Sequence, residues 1–156
     1  MSGNLIRIFS AIILFNSYSF SQNKNWENYT DLKIITSVTA DTDSHLIFCA
    51  SKGGLFSVDA ITGKVIKKYT NLDGLISNDL TSLTVDNKRR LWVGASDGSI
   101  SVLDLSNGSW KYIFDIKNSN ESNKSINYLF LSGNFMYVAT GYGIQKISVN
   151  NFSFVD

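Results

Sequence analysis

Apolar and polar residues alternate in short bursts along most of this chain, and turn residues break the bursts. Leu80 to Val85 alternates around Leu83 and Val85, and Asp86-Asn87-Lys88 follows as a polar turn. Leu91 to Ala95 is a second apolar run. Asp97-Gly98 is a hairpin signal, because glycine accepts the positive φ such turns need. Ser99 to Leu103 returns, Asn107-Gly108 turns again, and Trp110 to Phe114 closes the set. Period-two runs bounded by Gly, Asn and Asp predict strands rather than helices. Four antiparallel strands are therefore expected between residues 80 and 114.

The pattern recurs. Ile47-Phe48, Trp92-Val93 and Tyr137-Val138 lie 45 residues apart, as do Gly53, Gly98 and Gly143. Small residues follow each aromatic step: Cys49-Ala50, Gly94-Ala95 and Ala139-Thr140. In the first unit Lys52-Gly53-Gly54 is the expected hairpin turn, with Leu55 to Val58 and Lys64 to Tyr69 as the strands that follow. In the third, Gly133-Asn134 and Tyr142-Gly143 serve as turns. A repeat of this length marks a stacked architecture. Four strands per unit is a propeller blade. The fold class expected is all-β: a partial β-propeller of about three four-stranded antiparallel blades, near residues 30–70, 75–115 and 123–156. A β-sandwich also has frequent short strands, but it has no reason to repeat at a fixed period. Gly53, Trp92, Gly98, Tyr137 and Gly143 are the expected blade-structural positions. The small residues leave room where inner strands converge, and Phe48, Trp92 and Tyr137 fill gaps between blade faces.

Closed propellers typically have four to eight blades. Three predict either a truncated chain, whose Asn150-to-Asp156 end is an outer strand just starting, or a ring built from several copies.

The first residues read differently. Arg7 precedes the apolar run Ile8 to Phe15, and Ser19-Phe20-Ser21 has a small-x-small pattern. This is a secretory signal peptide over residues 1–21, too short an apolar run to span a bilayer. The propeller portion is then 22–156. No cysteine lies near the cleavage site, which argues against a lipid anchor.

Composition narrows the function. The 156 residues hold 14 Lys+Arg against 13 Asp+Glu, with 44% apolar and 13% aromatic content. That near-neutral balance does not suit a nucleic-acid binder. One cysteine excludes an intrachain disulfide framework and any multi-cysteine metal cluster. His45 is the only histidine and reads as a turn-edge residue; Cys49 reads as a buried packing residue. Asp73, Asp79, Asp86 and Asp97 flank turns and are expected to cap them. Their spacing matches no EF-hand loop. No catalytic motif, metal site or cofactor site is predicted. Lys88-Arg89-Arg90 is the one dense basic cluster. With Tyr142 it forms the candidate ligand or partner surface, for phosphate or acidic sugar. Trp26, Trp110, Tyr112 and Tyr142 would stack on sugars if exposed, but strand aromatics are usually core. Lys117 to Lys124 reads as an exposed inter-blade loop.

The stretch Asn71-Leu72-Asp73-Gly74-Leu75-Ile76-Ser77-Asn78-Asp79-Leu80, followed by Leu91-Trp92-Val93-Gly94-Ala95-Ser96-Asp97-Gly98, resembles the two-component regulator propeller repeat. A wider series runs from Trp26-Glu27-Asn28-Tyr29 through Ile47 to Ala50 and Gly54 to Asp59. It continues with Phe114 to Lys117, Asn123 to Asn127 and Ala139 to Ile144. Its order resembles the first propeller of PorZ-like proteins of the type IX secretion system. The resemblance implies an exported, non-enzymatic accessory at the outer-membrane surface or in the periplasm. It implies partners in an outer-membrane sortase complex, an anionic lipopolysaccharide or glycan as ligand, and peripheral rather than membrane-spanning association. The alternative it leaves open is the periplasmic ligand-sensing propeller of a hybrid two-component regulator. A propeller glycosidase or lyase is weaker, since no pair of carboxylates can be placed at a common cleft.

Overall fold

The computed structural model describes residues 32–155. The signal-peptide reading and the Trp26-to-Tyr29 match lie outside the described residues.

Strands form where the alternation predicts them. β1 (Ile35–Asp41), β2 (Leu46–Ser51), β3 (Gly54–Asp59) and β4 (Val65–Tyr69) make the first sheet. β5 (Leu80–Val85), β6 (Arg90–Ala95), β7 (Ile100–Asp104) and β8 (Trp110–Ile113) make the second. β9 (Ile126–Ser132), β10 (Phe135–Thr140) and β11 (Gly143–Ser148) make the third. All neighbouring strands are antiparallel and consecutive. The third blade thus has three strands rather than four. Its outer strand is reduced to a single bridge between Ile147 and Phe154.

The sheets stack face to face, with β1, β5 and β9 side by side on the inner edge. Because side chains alternate across a strand, each sheet has two faces to bury. Phe48, Ala50 and Leu55 of the first blade meet Leu83, Leu91, Val93 and Leu103 of the second. The opposite face of the second blade, with Trp92, Ile100 and Val102, meets Leu129, Met136, Val138 and Ile147 of the third. The core is therefore two layers between three sheets. Small residues permit this approach: a Cβ on Gly94 would lie 2.4 Å from a methyl of Ile126.

Hydrogen bonds stitch the inner strands with the same period. Thr36 Oγ1 donates to the Leu80 carbonyl, and Thr81 Oγ1 donates to that of Ile126. Ser37 Oγ accepts from Leu83 N at 3.0 Å, and Ser82 Oγ accepts from Leu129 N at 3.0 Å. Backbone groups that an inner strand would otherwise bury unpaired are satisfied by these hydroxyls.

Two turns differ from the expected form. The Ala95–Ser99 hairpin holds three residues rather than two, with Gly98 at φ 85° closing it. In the first blade the two turn residues are Lys52-Gly53, and it is Gly54 that takes the positive φ, 131°. Gly143, at φ 141°, is the counterpart of Gly54 rather than of Gly53. Each supplies the carbonyl that accepts a hydroxyl across the turn, from Ser51 or Thr140, at 2.8 Å. The extra residue in the middle hairpin shifts the register by one, and this hides the true equivalence.

Two short helical turns join the blades. A 3-10 turn over Asn71–Asp73 carries a capping box, in which Thr70 Oγ1 accepts from Leu72 N while Asp73 accepts from Thr70 N. α1 (Asp115–Asn118) starts within the Phe114-to-Lys117 stretch and carries Lys117, the first residue of the segment expected to be a loop; it buries Ile116. No helix among the described residues is long and apolar enough to cross a membrane.

Candidate functional site

Hairpin topology gives the arc two edges. One carries the β1–β2, β5–β6 and β9–β10 turns and the β3–β4 and β7–β8 turns. The other carries the β2–β3, β6–β7 and β10–β11 turns and the two inter-blade connections. Lys88, Arg89 and Arg90 sit on the first edge, in the β5–β6 turn. Tyr142 sits on the second, half-buried against the layer between blades two and three. The four residues grouped in the sequence are therefore divided between opposite edges.

The basic triplet is largely engaged within the protein. Arg89 Nη2 reaches Asp41 at 2.8 Å and its Nε reaches Asp43 at 3.2 Å, tying blade two to blade one. Arg90 pairs with Asp86 and donates to the Val149 carbonyl at 2.6 Å, tying blade two to blade three. Lys88 Nζ donates to Asn150 Oδ1 at 2.6 Å and is the exposed member. Asp86 is fully packed and organises its own turn. It accepts from the backbone of Lys88 and Arg90, from Arg90 Nε at 2.7 Å and from Trp92 Nε1 at 2.8 Å. Asp97 accepts from Ser99 N and from Lys117 Nζ, and Asp73 caps as described. Asp79 does not cap a turn: it pairs with Lys52 of blade one at 2.7 Å and accepts from Ser96. A charge run read along the chain is thus mostly a set of blade-to-blade pairs.

His45 is exposed at a turn, with φ 55°. Cys49 is buried and unpaired, and burial pushes its thiol pKa up, which makes it a poorer nucleophile. No group of three or more His, Cys, Asp or Glu side chains among the described residues is placed to hold a metal ion.

Several carboxylates are held below their usual range. Asp79 is lowered by Lys52 and Ser96. In Asp97 and Asp41 burial pulls upward, but Lys117 with Ser99, and Arg89 with Ser44, outweigh it. A depressed folded-state pKa means the unfolded chain binds the proton more tightly. The resulting stability is fully present above about pH 4, the unfolded aspartate value. It is lost as pH falls through the folded values. The thermal midpoint is therefore expected to stay level from pH 7 to about pH 5 and to drop below pH 4. Lys52→Met combined with Lys117→Met should shallow that acid limb. A midpoint unchanged down to pH 2.5 would contradict the assignment.

Among the described residues, three surfaces are open to a ligand or partner. The outer face of blade three shows Tyr128, Phe130 and Ile144 at 61%, 54% and 73% exposure, with Tyr137 and Ala139 between them. Tyr137, expected between blade faces, lies half-buried on this uncovered one. The outward face of blade one shows Val38, at 57% exposure, beside Cys49 and Phe56 in the register. The third surface is a cleft between blades one and two, of about 280 Å³, with Phe48, Tyr69 and Trp110 in its walls. Trp110 meets Tyr69 edge-on at 6.1 Å, and Lys67 lies 4.6 Å over the Tyr69 ring.

The architecture has known counterparts. The family described as "TSS9, PorZ, N-terminal beta-propeller domain" matches residues 47–156, more than half of the chain. The chain belongs to the PorZ N-terminal β-propeller family. Among solved structures it is similar to PorZ, a surface component of the type IX secretion system of Porphyromonas gingivalis. Identity is 22%, the TM-score is 0.70, and the match covers 81% of this chain and 17% of that one. It is also similar to the extracellular domain of the hybrid two-component system BT3049 from B. thetaiotaomicron. There identity is 22% and the TM-score 0.66, over 78% of this chain and 16% of that one. The computationally designed Ika4 protein shares the architecture at 17% identity and a TM-score of 0.60, over 83% and 75% of the two chains. At these identities the likeness shows the propeller fold alone. The chain spans about a sixth of the length of the first two structures. Comparison with curated protein sequences gives no match. Trp92 packs in the layer between blades two and three and donates its Nε1–H to Asp86. Sequence reasoning missed the Thr-Ser pairs at 36–37 and 81–82, whose signal was a 45-residue recurrence of two hydroxyl residues in the inner strand.

Proposed function

We propose that this chain is the N-terminal propeller portion of an exported, non-catalytic accessory in type IX protein secretion and cargo attachment. Membership of the PorZ N-terminal propeller family carries the reading. Two features support it. The basic triplet of the first edge makes contacts from blade to blade rather than converging on a reactive centre. The end faces of the arc carry the side-chain types that are covered between its blades, as a unit within a larger propeller assembly would. On this reading the protein acts as a scaffold or ligand-presenting surface. It associates peripherally with outer-membrane sortase-complex proteins. Lys88, as the exposed member of the basic triplet, is the residue to probe for contact with an anionic glycan or lipopolysaccharide.

Deleting the gene should leave type IX cargo in the periplasm with its sorting signals uncleaved, and Lys88→Ala should leave secretion intact while weakening glycan retention. Normal cargo release from the deletion strain would overturn the reading. A second reading, the ligand-sensing propeller of a hybrid two-component regulator, draws on the Asn71-to-Gly98 repeat motif and the fold shared with BT3049. It predicts that the same deletion changes transcription of a small set of genes and leaves cargo untouched.

A further inference from the structure

The β3–β4 and β7–β8 turns and the turn after β11 are three copies of one loop. Gly63, Gly108 and Phe152 hold the same place in it. Their amides donate to the carbonyls of Asp59, Asp104 and Ser148 at 2.9, 2.8 and 2.9 Å. Their φ values are 67°, 76° and 62°. Two copies use glycine, the residue that adopts this left-handed conformation without steric cost. The third uses phenylalanine, which is a rare choice there. The position of its ring is therefore the informative feature. Phe152 enters the cleft between blades two and three. Its ring lies 5.4 Å from that of Trp92, with the Arg90 guanidinium at 4.9 Å and Lys111 Nζ at 5.1 Å over its face. Only about 90 Å³ of that cleft stays open.

The cleft between blades one and two has the same plan without the ring. Phe48 stands where Trp92 stands, Leu46 where Arg90 stands, and Lys67 where Lys111 stands, each 44 residues earlier in the sequence. All three line the open cleft of about 280 Å³, as does Gly108, the counterpart of Phe152. A Cβ built on Gly108 meets nothing within 4 Å. We infer that this cleft is a binding site for one aromatic side chain, presented by a polypeptide partner, which occupies the place that Phe152 fills in the neighbouring cleft. Phe48 supplies the apolar floor and Trp110 a wall. Lys67, which lies 4.6 Å over the Tyr69 ring at the cleft wall, would turn its cation to the face of the incoming ring, the kind of contact Lys111 makes to Phe152. The in-molecule occupant arrives as a phenyl group on a loop, which favours a peptide-borne ring over a sugar.

The inference is independent of the route by which the protein is exported, and its test reads binding alone. N-acetyl-phenylalaninamide is titrated into the isotope-labelled chain, and the indole N–H signal of Trp110 is followed. A saturable shift is expected, with N-acetyl-leucinamide at least fivefold weaker. Gly108→Phe should fill the cleft from within and weaken binding at least tenfold. Phe152→Gly should open a second site, read at the Trp92 indole. If Gly108→Phe loses its dispersed spectrum, Lys67→Ala replaces it and should weaken binding several-fold. The absence of a saturable shift, equal affinity in the filled variant, or a Trp110 shift produced by methyl glucoside and not by the amide would each overturn the inference.

Discussion

Trp92→Ala should be the most destabilising substitution in the described blades, lowering the free energy of unfolding by about 3–5 kcal/mol. The indole is completely buried between blades two and three. It packs on Phe152 and belongs to the same layer as Val102, Met136 and Val138. Truncation removes its burial and leaves a cavity that two stiff sheets cannot close. It also removes the Nε1–H that Asp86 accepts at 2.8 Å. Small domains have only about 5–15 kcal/mol in total, so the variant should be near the edge of folding. Trp92→Phe separates the two effects. It keeps most of the ring and loses the hydrogen bond, so its cost should be about 1–3 kcal/mol. Urea unfolding measures both. A loss below about 1 kcal/mol for Trp92→Ala would mean that the second and third blades do not depend on this layer.

Asp86→Ala should cost nearly as much, about 3–5 kcal/mol, for an electrostatic reason. The carboxylate has no exposed surface, and the Arg90 side chain is only 12% exposed. Removing the acid strands the guanidinium, the Trp92 N–H and two turn amides in a low-dielectric setting. Asp86→Asn keeps the shape but not the charge, and should fall between wild type and alanine. High salt should rescue neither variant, because a buried pair is screened little. The neighbouring Lys88→Ala removes an exposed amine and should stay within about 0.5 kcal/mol of wild type. Two residues apart in one turn, Asp86 is buried and holds Arg90 and Trp92 in place, whereas Lys88 is exposed and makes one hydrogen bond, to Asn150. Comparable losses for both would show that the turn is less organised than its hydrogen bonds indicate.

The repeat made the strands legible. Apolar alternation placed β5 over Leu80–Val85 as observed, and β6, β7 and β8 to within a residue at either end. The 45-residue period identified the stacking of sheets before any contact was known. It failed by one residue at Gly53, because blade two inserts a residue in its hairpin and two adjacent glycines offered a false alignment. The basic triplet misled in a different way. Sequence shows charges but not the partners that folding brings to them, and Asp41 lies 48 residues from Arg89. Phe152 was illegible for a physical reason. Left-handed turn positions are found by looking for glycine, and a phenylalanine held there by cleft packing carries no turn signal. The Thr70–Asp73 capping box was present as a spacing, but three residues are too few to show helical periodicity. α1 is equally short, and it straddles the start of an Asn/Ser-rich segment that reads as loop.

The central claim, a PorZ-type propeller acting outside the cytoplasm in type IX secretion, is tested most directly by locating the native protein. An antibody raised against residues 32–155 would follow it through inner-membrane, periplasmic and outer-membrane fractions, with surface proteolysis of intact cells and mass spectrometry of the captured complex. A protease-accessible polypeptide is expected in the outer-membrane fraction, copurifying with sortase-complex proteins and carrying no kinase domain. Recovery in the inner membrane as part of a histidine-kinase polypeptide would contradict it.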